Sequence, residues 1–210
     1  MSQTEQLQEL LAWLPLPTPR ERYYYLAKHL ELLTLEHDHA MDVLIGLFSD
    51  QPEEQKRLRI EQQALCDARA RGGTAEAVRQ AYIDEYGGLV VGLPYGLEEV
   101  EHMLSARLVS RQSERARSVT KMLLKYAIEY VQTDHSLPAE MLAELHYQLG
   151  TMFAQDLPGQ SIQLLTMITT YYEAALLIYT PDRYPKQYAK VQVALKDVYR
   201  FCQAAIPWEH

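Results

Sequence analysis

Glycine and proline punctuate this chain, and almost everything between them has the period of an α-helix. The 9 glycines and 10 prolines fall mostly between stretches whose apolar residues recur every three or four positions. Residues 3–14 carry Leu7, Leu10, Leu11 and Leu14 on one face, and Pro15, Pro17 and Pro19 end that segment. Thr18 before Pro19 is a start signal: a threonine oxygen can accept from an orphan amide, and proline has no amide to leave unsatisfied. The spacing of Leu26, Leu30, Leu33, Ala40, Val43, Leu44 and Leu47 predicts one helix from there to about Phe48. Pro52 opens a third, strongly charged helix over 52–70, stopped by Gly72-Gly73, and Thr74 opens a fourth that stops at Gly87-Gly88. The passage from Gly87 to Gly96 is apolar without helical period, and reads as a loop laid over the core or a short extended segment.

Helix resumes over 97–109. From Ser110 to Ser118 the only apolar residue is Ala116, so this stretch is either an exposed length of one long helix or a linker. Val119 to Val131 is amphipathic and ends at Asp134–Pro138. Segments 139–156, 161–179 and 185–205 follow, separated by turns at Pro158-Gly159 and Pro181-Asp182. Connections this short make neighbouring helices antiparallel. The expected fold class is all-α, with an N-terminal helical bundle (residues 1–109) packed on C-terminal helical hairpins (residues 118–210).

Composition excludes several classes of protein. A hydrophobic fraction of 48% supports a packed core rather than a disordered chain. Residues 1–109 hold 10 Lys/Arg against 18 Asp/Glu, and the remainder holds 10 of each, so the whole net charge of −8 sits in the first half. That balance offers no bulk attraction to nucleic acid or anionic membrane. Cys66 and Cys202 are too few for a disulfide scaffold. Met1 to Leu14 has no basic leader pattern, and no run of 18 apolar residues occurs, so the expected compartment is the cytosol.

The segment YYEAALLIYTPDRYPKQYAKVQVALKDVYR resembles tetratricopeptide (TPR) helical repeats, most closely the lengthened version found in many bacterial signalling proteins. The matching positions are Tyr172, Glu173, Ala175, Leu176, Tyr179, Pro185, Tyr188, Ala189, Gln192, Leu195 and Tyr199. Leu149, Gly150 and Phe153 fit the first helix of a preceding repeat. Small residues at Gly150 and Ala175 let helices approach, while Tyr172 and Tyr179 fill the space between hairpins. Two departures stand out: about six extra residues follow Gly150 relative to a 34-residue repeat, and Lys196 sits where glycine is usual. The resemblance covers roughly 60 residues, below the three repeats such arrays need to be stable. It implies a module that presents a helical surface to a protein partner, an inference from fold alone.

No motif carries an enzyme. GxSxG, GxGxxG and GK[ST] spacings are absent, Cys66 has no recognisable partner, and Asp134-His135 beside Pro138 reads as a turn. Glu36-x-x-His39 and Glu99-x-x-His102 have the spacing of di-iron helical bundles. With 19 Glu and 7 His in the chain, chance alone yields roughly 0.6 such pairs, so two matches imply no metal or other cofactor.

A basic stripe is the most distinctive surface feature. Arg107, Arg111, Arg115, Arg117, Lys121 and Lys125 fall within about 160° of one helix. Opposite them, Leu108, Val119, Met122, Leu123, Tyr126 and Tyr130 read as core. The stripe can bind phosphates or an acidic partner surface, or pair with acids elsewhere in the protein. The 15 tyrosines mostly read as helix packing, though the successive directions of Tyr23, Tyr24 and Tyr25 leave at least one exposed.

The sequence thus leads to a non-enzymatic adaptor or regulatory module with a protein partner, and homo-oligomer formation is left open. The expected contact residues are the six basic ones together with Tyr188, Gln192 and Tyr199. The alternatives are a metal-binding helical bundle using His39 and His102, and a nucleic-acid-binding regulator using the basic stripe.

Overall fold

The computed structural model describes residues 3–92, 114–134, 136–156 and 162–205. They are all-α: helices and turns with no strand among them. No helix among them is long and apolar enough to cross a membrane. The chain divides into two compact units, Met1–Tyr86 and Gly87–His210, whereas the apolar-poor stretch Ser110–Ser118 was the expected boundary.

The first unit holds α1 (Gln3–Trp13), α2 (Pro19–Lys28), α3 (Leu35–Leu47), α4 (Pro52–Ala70) and α5 (Ala75–Tyr86). Thr18 and Glu21 form a reciprocal cap on α2: the Thr18 hydroxyl accepts from the Glu21 amide at 3.2 Å, and the Glu21 carboxylate accepts from the Thr18 amide at 3.1 Å. Such a cap contributes about 1 kcal/mol. Gly72 and Gly73, at φ +102° and +65°, close α4, and the Thr74 hydroxyl accepts from the Ala77 amide to begin α5.

The single helix expected over 19–48 is broken. His29 leaves helical geometry at φ −119°, ψ 61°, a 3₁₀ turn spans Leu30–Leu32, and Thr34 is extended before α3 begins. An unbroken helix of that length would be about 45 Å long and could bury only one stripe. The break turns Leu32 and Leu33 inward and lets α2 pack on α5 while α3 packs on α4 and α1. Consequently α3 buries His37, Ala40, Met41, Leu44 and Ile45, and Val43 and Leu47 are exposed.

Inside this unit lies a charged network. Glu61 has no exposed surface and receives three hydrogen bonds: from Arg22 Nε at 2.6 Å, Tyr82 Oη at 2.7 Å and Tyr86 Oη at 2.5 Å. Arg22 also donates to the Leu16 carbonyl, and its own carbonyl accepts from the Trp13 indole at 3.0 Å. A buried carboxylate is tolerable only when its oxygens are satisfied in this way. Burial, followed by the Glu61 charge, pushes the phenols of Tyr82 and Tyr86 well up.

The second unit holds a 3₁₀ turn (Gly88–Val91), α6 (Glu114–Thr133), α7 (Ala139–Ala154), α8 (Ile162–Leu176) and α9 (Pro185–Ala205). Each helix packs chiefly on its neighbours in the chain, with a lighter contact between α7 and α9. One core cluster joins α6 to α7 through Leu124, Ala127, Ile128, Val131, Leu145, Leu149 and Met152. Tyr172, Ala175, Tyr179 and Tyr184 are buried further along. The Gly87–Gly96 passage is a turn against the core as far as Gly92, with Val90 and Val91 buried; residues 93–96 lie outside the described residues.

Helix α6 faces differently from expectation. Its buried side is Thr120, Leu124, Ala127, Ile128 and Val131, while Val119, Met122, Tyr126 and Tyr130 are exposed. The helix is apolar on two faces, so periodicity alone cannot tell which one meets the core. Residues 114–118 belong to this helix, and 97–109 lie outside the described residues.

Candidate functional site

Two approaches between helices shape the second unit. At Gly150, a Cβ would stand 2.9 Å from Tyr172 Cε1 and 3.3 Å from the Tyr171 Cβ, so α7 and α8 meet at a distance that glycine allows. Beyond it, Tyr172 lies buried with its hydroxyl 3.3 Å from Thr151 Oγ1. Burial pushes its phenol up, and it serves as an apolar floor with a hydrogen-bonded tip.

Above that floor, between α7 and α9, lies an open groove of about 350 Å³. Thr151 and Ala154 line it from α7 and Gln155 from its C-cap, Tyr172 from α8, and Ala194, Asp197, Val198 and Phe201 from α9. The short side chains of Ala154 and Ala194 leave the space; larger ones would fill it. Asp197 is the one ionisable carboxylate in the lining, largely exposed and 3.4 Å from Arg200. An apolar cleft of this volume with few polar groups has the dimensions of a binding site.

The base of the hairpins is fixed by a second cluster. Glu140 and Glu144, one turn apart on α7, are both buried. Tyr179 Oη donates to Glu144 at 2.9 Å and accepts from the Gly88 amide at 2.9 Å, and Tyr184 Oη donates to Glu140. Gln148 donates to Glu144 at 2.6 Å, and Lys190 stands 3.9 Å from it while covering the Tyr147 ring at 4.4 Å. Gly88 is forced by this closeness, since a Cβ there would overlap the Glu140 carbonyl. Both carboxylates are engaged, which makes this cluster a lock on the turn rather than a reactive site.

The residues singled out in the sequence lie elsewhere. Of the basic stripe, Arg107 and Arg111 are outside the described residues, as is the Arg115 side chain. Arg117 stands 3.8 Å from Asp156 and Lys121 is bonded to it, while Lys121 and Lys125 sit over the Phe153 ring at 4.8 and 5.3 Å. The three described cations therefore rest on α7 and the turn after it. Tyr188, Gln192 and Tyr199 share one edge of α9, where Gln192 donates to Tyr188 at 3.3 Å. The helical period puts that edge roughly opposite Asp197, away from the groove.

Glu36 and His39 are exposed on α3, and Glu99 and His102 are outside the described residues. Among the described residues no three His, Cys, Asp or Glu gather as a metal site would require. Cys66 is half-buried 3.8 Å from Asp38, and burial pushes its thiol up, away from nucleophilic character. Asp134 accepts from the Ser136 amide at 3.0 Å, the local turn its position implied.

No family model, curated protein or solved structure matches this chain.

Proposed function

We propose that this protein is a non-enzymatic adaptor or regulator that binds a protein partner through the groove between α7 and α9. The groove itself carries this reading: an apolar cleft of about 350 Å³ with one carboxylate at its rim. Its volume fits one or two large apolar side chains of a peptide or helix, and Asp197 favours a partner with a cation beside them. The succession of hairpins α6 to α9 and the Gly150–Tyr172 approach support a tetratricopeptide-like arrangement, whose concave side is its usual contact surface. The basic residues of α6 take a secondary role here, because Arg117 and Lys121 already meet Asp156.

The test compares proteins retained from a native lysate by the wild type, by Ala194→Phe, which fills the groove, and by Asp197→Lys, which reverses its rim charge. A partner held by the wild type and reduced at least tenfold with both variants, at unchanged helicity, supports the reading. Equal retention by all three removes the groove from it.

A further inference from the structure

We propose that the exposed face of α6 pairs with the same face of a second copy of this chain, antiparallel about a two-fold axis passing near Tyr126. The argument begins with an imbalance on the helix. Met122 is 62% exposed, Tyr126 59%, Val119 44% and Tyr130 39%, and with half-buried Leu123 they fall within about 100° of the helix circumference. The neighbouring face, through Leu124, Ala127, Ile128 and Val131, is already spent on α7. A helix apolar around most of its circumference is one that is covered on both sides. Methionine and tyrosine are also residue types enriched at protein interfaces.

The pattern is complementary to itself. A two-fold axis at Tyr126 sets Tyr126 against its own copy and Met122 against Tyr130 of the second chain, a sulfur–aromatic contact made twice. Val119 then meets Thr133. Along the polar edge of the stripe, Lys125 and Glu129 are both exposed, and neither has an ion-pair partner among the described residues. In an antiparallel pair that edge meets its own copy, and Lys125 comes within two residues, about 3 Å of helix rise, of register with Glu129 of the second chain, a gap these long side chains span. A lone helical partner of unrelated sequence would satisfy the apolar stripe without accounting for this reciprocal charge pattern.

Size sets the strength expected. With about 200 Å² for each large side chain, the four exposed ones offer roughly 400 Å² per copy. The pair would bury about 800 Å² of apolar surface before its polar rim is added, below the roughly 1,200 Å² of stable specific interfaces and in the range of weak, transient ones. The dimer is therefore weak and concentration-dependent.

Sedimentation velocity over a concentration series of the full chain tests this. The weight-average mass of the wild type should climb from the 24.2 kDa chain mass toward twice that value between about 10 and 500 μM. Tyr126→Glu should stay at the chain mass with unchanged circular dichroism. Single cysteines in a Cys66→Ser, Cys202→Ser background then read the register. Under mild oxidation Tyr126→Cys should cross-link to itself at least tenfold faster than Val119→Cys, which lies far from its own copy in this arrangement. A wild type that remains at the chain mass overturns the proposal, as does a Tyr126→Glu variant that still associates. Equal cross-linking at both positions overturns the antiparallel pairing.

Discussion

Replacing Glu61 with leucine should destabilise the first unit by about 3–5 kcal/mol, the range for removing one member of a buried ion pair. Three donors lose their acceptor at once: the Arg22 guanidinium and the hydroxyls of Tyr82 and Tyr86. Arg22 keeps the Leu16 carbonyl, and the two phenols would each cost about 1–3 kcal/mol alone, so the losses do not simply add. For a unit of this size, each kcal/mol moves the melting temperature by about 4–8 °C, so its transition should fall by at least about 12 °C. Trp13 is buried in this unit beside Arg22, so its fluorescence in a Trp208→Phe background follows the transition directly. The double variant Arg22→Met, Glu61→Leu separates the causes. With the stranded cation gone, it should recover about 2 kcal/mol relative to the sum of the two single changes. A loss under about 1 kcal/mol for Glu61→Leu, or strict additivity in the double variant, would refute the reasoning.

Two further outcomes are expected. Gly88→Ala should lower the stability of the second unit by more than about 2 kcal/mol in urea unfolding, because the added Cβ meets the Glu140 backbone rather than a movable side chain; a neutral substitution would mean that the turn can shift. His146 is buried against Tyr171, its Nδ1 has no hydrogen-bond partner among the described residues, and burial holds its pKa below the ordinary value. The unfolded chain therefore binds the proton more readily, and stability present above about pH 6.5 declines as the pH falls through and below that value. His146→Leu should flatten this slope in melting temperatures taken from pH 7.5 to 5, and an unchanged slope would place the acid sensitivity elsewhere.

The helix starts and stops marked by proline, glycine and threonine were legible in the sequence: Thr18-Pro19, Pro52, Gly72-Gly73 and Thr74 all act as their chemistry implies. The break at His29–Thr34 was not, because it contains neither glycine nor proline and is imposed by packing on both sides. The buried face of α6 was misassigned because two apolar stripes compete there, and only contact with α7 decides between them. The groove left almost no trace, since Ala154 and Ala194 matter through the volume they do not occupy. Nor could spacing pair Lys121 with Asp156, which lies 35 residues away on the following turn.

The bond between the Gly88 amide and the Tyr179 hydroxyl spans 91 residues. On a ribosome adding about 5–20 residues per second, roughly 5–18 s separate the synthesis of its two ends. Throughout that interval the Gly88–Val91 turn has no finished surface to close against, and Glu140 and Glu144, made in its later part, wait a further 44 and 35 residues for Tyr184 and Tyr179. The second unit is thus completed late and from both ends: a nascent chain halted before Tyr179 could already join α6 to α7 but would lack the bond that ties the Gly88–Val91 turn to α7.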